Sequence, residues 1–234
     1  TSYVCSLLRP VVIEELRLRD HGFELLPCDT SFAPFPDGSH LLLGLGDDED
    51  TQAIGRLSSR DAEAYPRFYA AMGRMADFLR ATLDTTPPDL ASPGPGDVLE
   101  LLKQGLRVWR LSRADRELFI KVMTLSVESM LDEWFESPKL KANLAGSGTI
   151  GIYGGPSTPG TAFVLLHHLL GEADGEPGAW GFVRGGMGGI TQAMASAAGK
   201  PKPSKRAATP RWRNSRTPWS AGASRLISTT TSRH

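Results

Sequence analysis

The 234-residue chain is short of cysteine: Cys5 and Cys28 are its only thiols. Two cysteines with no metal-ligand spacing argue against both a disulfide framework and a cysteine metal site, so no metal is expected. They fit a reducing compartment, and the expected location is cytoplasmic, or the mitochondrial matrix if the source is eukaryotic. No run of about 18 apolar residues occurs, so no transmembrane segment is expected. The opening Thr1-Ser2-Tyr3-Val4-Cys5 has no Met and no basic stretch before an apolar run, so it reads as a chain entered part-way rather than a signal peptide. Acid is missing from one end. After Ala198 there are 9 Lys or Arg and no Asp or Glu, whereas Thr1 to Ala198 holds 17 bases and 26 acids. The formal neutrality of the whole chain therefore hides two segments of opposite character.

What is present is a mixed α and β pattern with helices dominant in the middle. Leu7 to Asp20 has helical apolar spacing, with Pro10 in its first turn and Gly22 behind it. Phe23–Leu26, Ser31–Phe35 and His40–Leu43 read as three strands of one small antiparallel sheet, the last two joined by Pro36-Asp37-Gly38. Asp47–Asp50 places acid at a helix start. Ser58 caps a helix to about Leu83, and Asp97 opens another after a Pro-rich connector. Ser112 opens one that runs through to Phe135, and Ser137-Pro138 caps Lys139–Ala145. Ala162–Leu170 is an apolar helix, Trp180–Val183 a short strand, and Ile190–Ala198 a final helix.

Five motifs occur together: Ser2-Tyr3 with Ser6-Leu7-Leu8-Arg9-Pro10; Leu16-Arg17-Leu18 with His21-Gly22; Asp132-Glu133-Trp134-Phe135-Glu136-Ser137; Thr158-Pro159-Gly160 with Leu165-Leu166-His167-His168; and Gly178-Ala179-Trp180-Gly181-Phe182-Val183 with Gly185-Gly186-Met187-Gly188. In this order they resemble the phytoene dehydrogenase-related FAD-dependent oxidoreductases, and within them the branch of pyridine nucleotide-disulphide oxidoreductase domain-containing proteins. The resemblance covers roughly Thr1 to Ala198. It implies a partial FAD/NAD(P)-binding Rossmann-like flavoprotein fold of class α+β or α/β, mainly the helix-rich substrate domain with a small antiparallel sheet. It also implies an incomplete substrate-side domain over 1–178, a return segment to the FAD-binding domain over 179–198, and a tail over 199–234. The family's Gly-rich dinucleotide fingerprint is expected ahead of Thr1. Gly44-Leu45-Gly46 is no substitute, because the acids after it would repel a pyrophosphate.

The tail departs from the family, which continues with a strand. Its Lys, Arg, Pro, Ser and Thr cannot bury a core, so disorder is expected. It is either an evolved basic tail or the product of a reading-frame shift. Trp212 and Trp219 among its arginines suggest base stacking, but the acidic remainder opposes a phosphate backbone, and no nucleic-acid partner is expected.

The resemblance places Gly185, Gly186, Met187 and Gly188 beside the flavin, where glycines before a helix admit a cofactor to the backbone. The plain alternative is a tight strand-to-helix turn. His167, His168 and Trp180 are substrate-side candidates, each with a core reading beside it. Trp134 and Phe135 divide between tunnel lining and core in the same way. Asp132 and Glu136 would share one helix face. The chain is thus expected to be a fragment of an oxidoreductase that transfers hydride from an apolar small molecule to FAD. Because the fingerprint is missing, it is expected to be inactive and to self-associate through exposed apolar surface. The alternative is a non-catalytic remnant or interaction module without cofactor.

Overall fold

The computed structural model describes residues 3–28 and 30–199. The tail beyond Gly199, expected to be disordered, lies outside the described residues. The described residues form two compact units, one from 3–28, 30–32, 42–50 and 171–199, the other from 33–41 and 51–170. The described elements form a helix-rich α+β arrangement with small two-stranded sheets.

In the first unit, the expected helix over 7–20 is broken. α1 covers Pro10–Glu15, Arg17 turns into the left-handed region (φ 51°), and a 3-10 turn follows over Leu18–His21. The break rotates Leu18 into full burial. Gly22 closes the turn at φ 88°, a conformation glycine adopts without strain. β1 (Leu25–Cys28) does not join the neighbouring strands, as the sequence suggests. Contrary to the single three-stranded sheet expected from the sequence, it pairs antiparallel with the distant β6 (Trp180–Val183), setting Leu25 opposite Val183 and Cys28 opposite Trp180. The separate hairpin is β2 (Ser31–Pro34) with β3 (His40–Leu43). Burial decides the partner: Leu25 and Val183 both enter the core formed by Cys5, Leu18, Phe23, Ala173 and Ala193.

β6 is held on its other side too. The Cys5 N–H donates to the Gly181 carbonyl at 2.7 Å, and the Gly181 N–H returns to Cys5 at 2.9 Å. A further hairpin, β4 (Glu172–Ala173) with β5 (Glu176–Pro177), turns through Asp174 and Gly175, both left-handed. Asp-Gly is the sequence signal for such a turn. Its entry is tight: a Cβ on Gly171 would lie 2.5 Å from the Ser6 carbonyl oxygen.

α2 (Asp47–Gly55) opens with the expected acids, and the second unit follows with α3 (Ser59–Arg80), α4 (Pro95–Trp109), α5 (Arg113–Thr124), α6 (Val127–Trp134), α7 (Pro138–Thr149) and α8 (Thr161–Leu169). Ser58, Ser112, Ser126 and Ser137 each cap a helix by accepting a backbone N–H three residues on. Pro66 sits inside α3 on its exposed side, and with no N–H it leaves out the helical bond to the Ala62 carbonyl. Phe68, Met72 and Met75 of α3 are fully buried, and the Phe68 ring meets Trp134 and Phe135 edge-on at 5.4 and 5.2 Å.

The single helix expected over 112–135 is two. Leu125 is extended, and its carbonyl accepts the N–H groups of Gly160 and Ala162, while Thr161 Oγ1 accepts the Val127 N–H at 2.7 Å. α7 runs four residues past its expected end. Gly148 allows this, since a Cβ there would lie 2.8 Å from Val127. Asp61, fully buried, joins α3 to the α6–α7 junction by accepting the N–H groups of Glu136 and Ser137, both at 2.8 Å.

Two outcomes are expected in chemical denaturation followed by circular dichroism. Asp61→Ala strands two amides and should cost about 2–4 kcal/mol. Gly171→Ala forces backbone apart and should cost about 1–3 kcal/mol. Unchanged unfolding midpoints would contradict these roles.

Candidate functional site

In the first unit, β6 hands over to α9 (Gly188–Ala198) through Arg184, Gly185, Gly186 and Met187. Gly185 and Gly186 are both left-handed, at φ 79° and 87°. Their conformation, not crowding, calls for glycine, because a Cβ on either would meet nothing within 4 Å. Gly189 is crowded instead: a Cβ would lie 3.1 Å from the Arg184 carbonyl oxygen. Gly188 has neither reason. Its φ is ordinary, and a Cβ there would stand in open space. The turn is internally bonded, Gly186 N–H to Val183 O at 2.8 Å and Gly189 N–H to Gly186 O at 2.9 Å.

Both flanks of the turn are anchored. Val183 is buried and Met187 packs against the same core. Arg184 holds Glu24 through two bonds, Nε to Oε2 at 2.5 Å and a terminal nitrogen to Oε1 at 2.8 Å. The guanidinium keeps the Glu24 carboxyl below its ordinary range, and Glu24 in turn raises Arg184. Trp180 is half-buried at the start of β6, beside Gly181, whose Cβ would lie 2.5 Å from Leu25 Cγ. Phe182, on the outer face of β6, stacks on exposed Tyr3 with ring centres 6.4 Å apart.

The histidine pair lies in the second unit, on α8. His168 is buried, and its Nδ1 lies 2.8 Å from the Val164 carbonyl oxygen, to which it donates. His167 is half-buried and has Phe163 6.3 Å away, ring to ring. Burial, and secondarily the neighbouring His168, pushes His167 below its ordinary value. The four turn residues and Trp180 thus belong to one unit, and the two histidines to the other.

Asp132 and Glu136 do not share a helix face, because α6 ends between them at Trp134. Asp132 pairs with Lys141 at 2.5 Å, while Glu136 accepts from Ser58 at 2.6 Å and from Arg60 at 3.3 Å. These are structural pairs. A dinucleotide-like spacing, Gly146-Ser147-Gly148-Thr149-Ile150-Gly151, lies at the end of α7 and just past it. That position follows a helix, and Gly148 is consumed by packing on Val127. The context of a strand-to-helix phosphate cradle is therefore absent from this string. No group of metal ligands occurs among the described residues.

No family model matches the sequence. The chain is similar to the rat (Rattus norvegicus) pyridine nucleotide-disulfide oxidoreductase domain-containing protein 2, at 38% identity over 211 residues, covering 84% of this chain and 36% of the relative. The mouse (Mus musculus) protein of that name is 37% identical, with the same coverage. The chain spans about a third of the length of these curated relatives. The likeness supports the branch to which the five motifs point.

A lowered histidine value has a pH consequence. Below about pH 6.5 the unfolded chain takes up a proton at His167 that the folded chain resists, so stability falls as pH drops through that value. His167→Gln should flatten this loss in melting curves at pH 7 and pH 5. An equal loss in both proteins would assign the acid sensitivity elsewhere.

Proposed function

We infer that the chain is part of an FAD-dependent oxidoreductase of the phytoene dehydrogenase-related type, with the turn from Gly185 to Gly188 facing the flavin. One observation carries this reading. Gly188 is a glycine that neither backbone conformation nor packing against the described residues requires, and it follows two left-handed glycines at the start of α9. A bare backbone at a helix start suits close approach of a dinucleotide cofactor. The oxidoreductase name of the rat and mouse relatives supports the general activity.

Bound FAD would supply the hydride acceptor for an apolar substrate. The chain's own contribution at this turn is positional. Val183 and Met187 fix its ends in the core, and the Arg184–Glu24 pair ties its first residue to the residue before β1. In the second unit, His167 is the substrate-side candidate, since burial favours its neutral form. His168 is committed to Val164. The Rossmann-like remainder, with a pyrophosphate cradle, would come from sequence outside that described, because the one G-x-G-x-x-G spacing here is a helix end.

The chain alone is therefore expected to purify without stoichiometric FAD. Joined to the remaining segments of the rat relative, it should purify yellow. Gly188→Val in that chimera should weaken FAD binding by at least about tenfold, the equivalent of one lost favourable contact of roughly 1.4 kcal/mol. Its circular dichroism should be unchanged. A folded, colourless chimera would sink the reading and favour a non-catalytic interaction module. Undiminished flavin in the Gly188→Val chimera would remove the turn from the site.

A further inference from the structure

α3 of the second unit carries arginine and alanine in turn along one side. Arg60, Ala64, Arg67, Ala71 and Arg74 follow one another at alternating steps of four and three, so they form one row down the helix. The alanines leave space beyond their methyl groups. A cleft of about 480 Å3 remains between this row, α5 and the end of α6, all within the second unit. That volume lies within the roughly 300–1,000 Å3 of small-molecule sites. The floor is apolar, since Ala64, Ala71 and Leu118 are buried. One wall is Trp134, half-buried and held edge-on to Phe68 at 5.4 Å.

The charges around this floor are spent on one another, with one exception. Arg74 donates to Asp115 through Nε at 3.1 Å and a terminal nitrogen at 3.0 Å. Lys121 holds Glu117 at 3.1 Å and Glu133 at 2.7 Å. Arg60, at one end of the row, pairs with Glu136 at 3.3 Å. Arg67, midway along the row, pairs with no acid among the described residues. Its Nε donates to the Glu63 carbonyl of the preceding turn at 3.2 Å. The two terminal nitrogens remain as a fork of donors beside the apolar floor. Such a fork matches a carboxylate, whose two oxygens it can bind side by side. The surroundings select against other charges. A phosphate dianion would bring its second charge toward Asp115, Glu117 and Glu133, which also line the cleft, and a cation would meet Arg67. The alanines and Trp134 offer an apolar body a flat resting place.

We propose that the cleft between α3, α5 and α6 binds a small organic monocarboxylate, with Arg67 on the carboxylate and Ala64, Ala71, Leu118 and Trp134 against its apolar body. The glycine turn belongs to the other unit, and the proposal is independent of the flavin reading.

The test is titration of the full chain with naphthoate and with its uncharged counterpart naphthamide, followed by calorimetry and tryptophan emission. Naphthoate should bind saturably, and naphthamide at least about tenfold more weakly, the loss of one charge-assisted pair. Arg67→Met keeps the aliphatic stem and removes the fork. It should weaken naphthoate about tenfold and leave naphthamide unchanged. Ala114→Leu narrows the cleft from α5 and should weaken both ligands. The emission change on binding should be lost in Trp134→Phe. Arg67 and Ala114 are exposed, so both variants should fold, and circular dichroism checks this. No binding of naphthoate at millimolar concentration would overturn the proposal, in favour of a protein side chain as the occupant of the cleft. Binding that ignores Arg67→Met would also overturn it, by moving the contact to another cation, including those of the basic C-terminal run. Equal binding of acid and amide would do the same, by reducing the contact to apolar adsorption.

Discussion

The pairing of β6 with chain on both its edges is the constraint on which the first unit depends. Cys5 holds one edge and β1 the other, and Gly181 is the point where both meet. Segments separated by about 150 residues of sequence are thereby fixed in register. The register sends Leu25 and Val183 into one core and leaves Arg184 level with Glu24. The glycine turn gains its position from this pairing. Its left-handed residues would be a floppy hinge on a free chain, but between buried Val183 and core-packed Met187 they become a defined surface.

The second unit is organised differently, by local endings and one buried carboxylate. Four serines start helices, and Asp61 receives two amides at the α6–α7 junction. Aromatic edges around Phe68 fill the space that these endings define. Trp134 and Phe135 are spoken for in that cluster, and His168 in its bond to Val164. Burial beside it lowers the His167 value. Small residues set the helix spacing, as at Gly148 against Val127.

Local chemistry made much of this legible in the sequence. Ser58, Ser112 and Ser137 marked true helix starts, Asp37-Gly38 a true turn, and the strand at Trp180 was visible from its bulky residues. The missed features are those decided at a distance. Nothing near Leu25 says that its partner is Val183, and no local signal separates α5 from α6 except Ser126, whose capping role depends on Leu125 being held extended by residues 160 and 162. Arg17 in the left-handed region follows from burying Leu18, which periodicity alone does not reveal. The Asp174-Gly175 hairpin was readable but brief. At the glycine turn, the sequence supplied the residues and the family likeness the expectation of a cofactor. Only the structure separates Gly185 and Gly186, which need their φ, from Gly188, which meets none of the described residues.

The first unit is assembled from three stretches of chain, with nearly all of the second unit lying between them in sequence. During synthesis, β1 leaves the ribosome long before its partner exists. More than a hundred residues of helical chain, with mostly local contacts, are completed first. Throughout that interval Leu18, Phe23 and Leu25 lack Val183 and Ala193, their described partners in the core. The core beneath the glycine turn is therefore completed only after the helices of the second unit have been made.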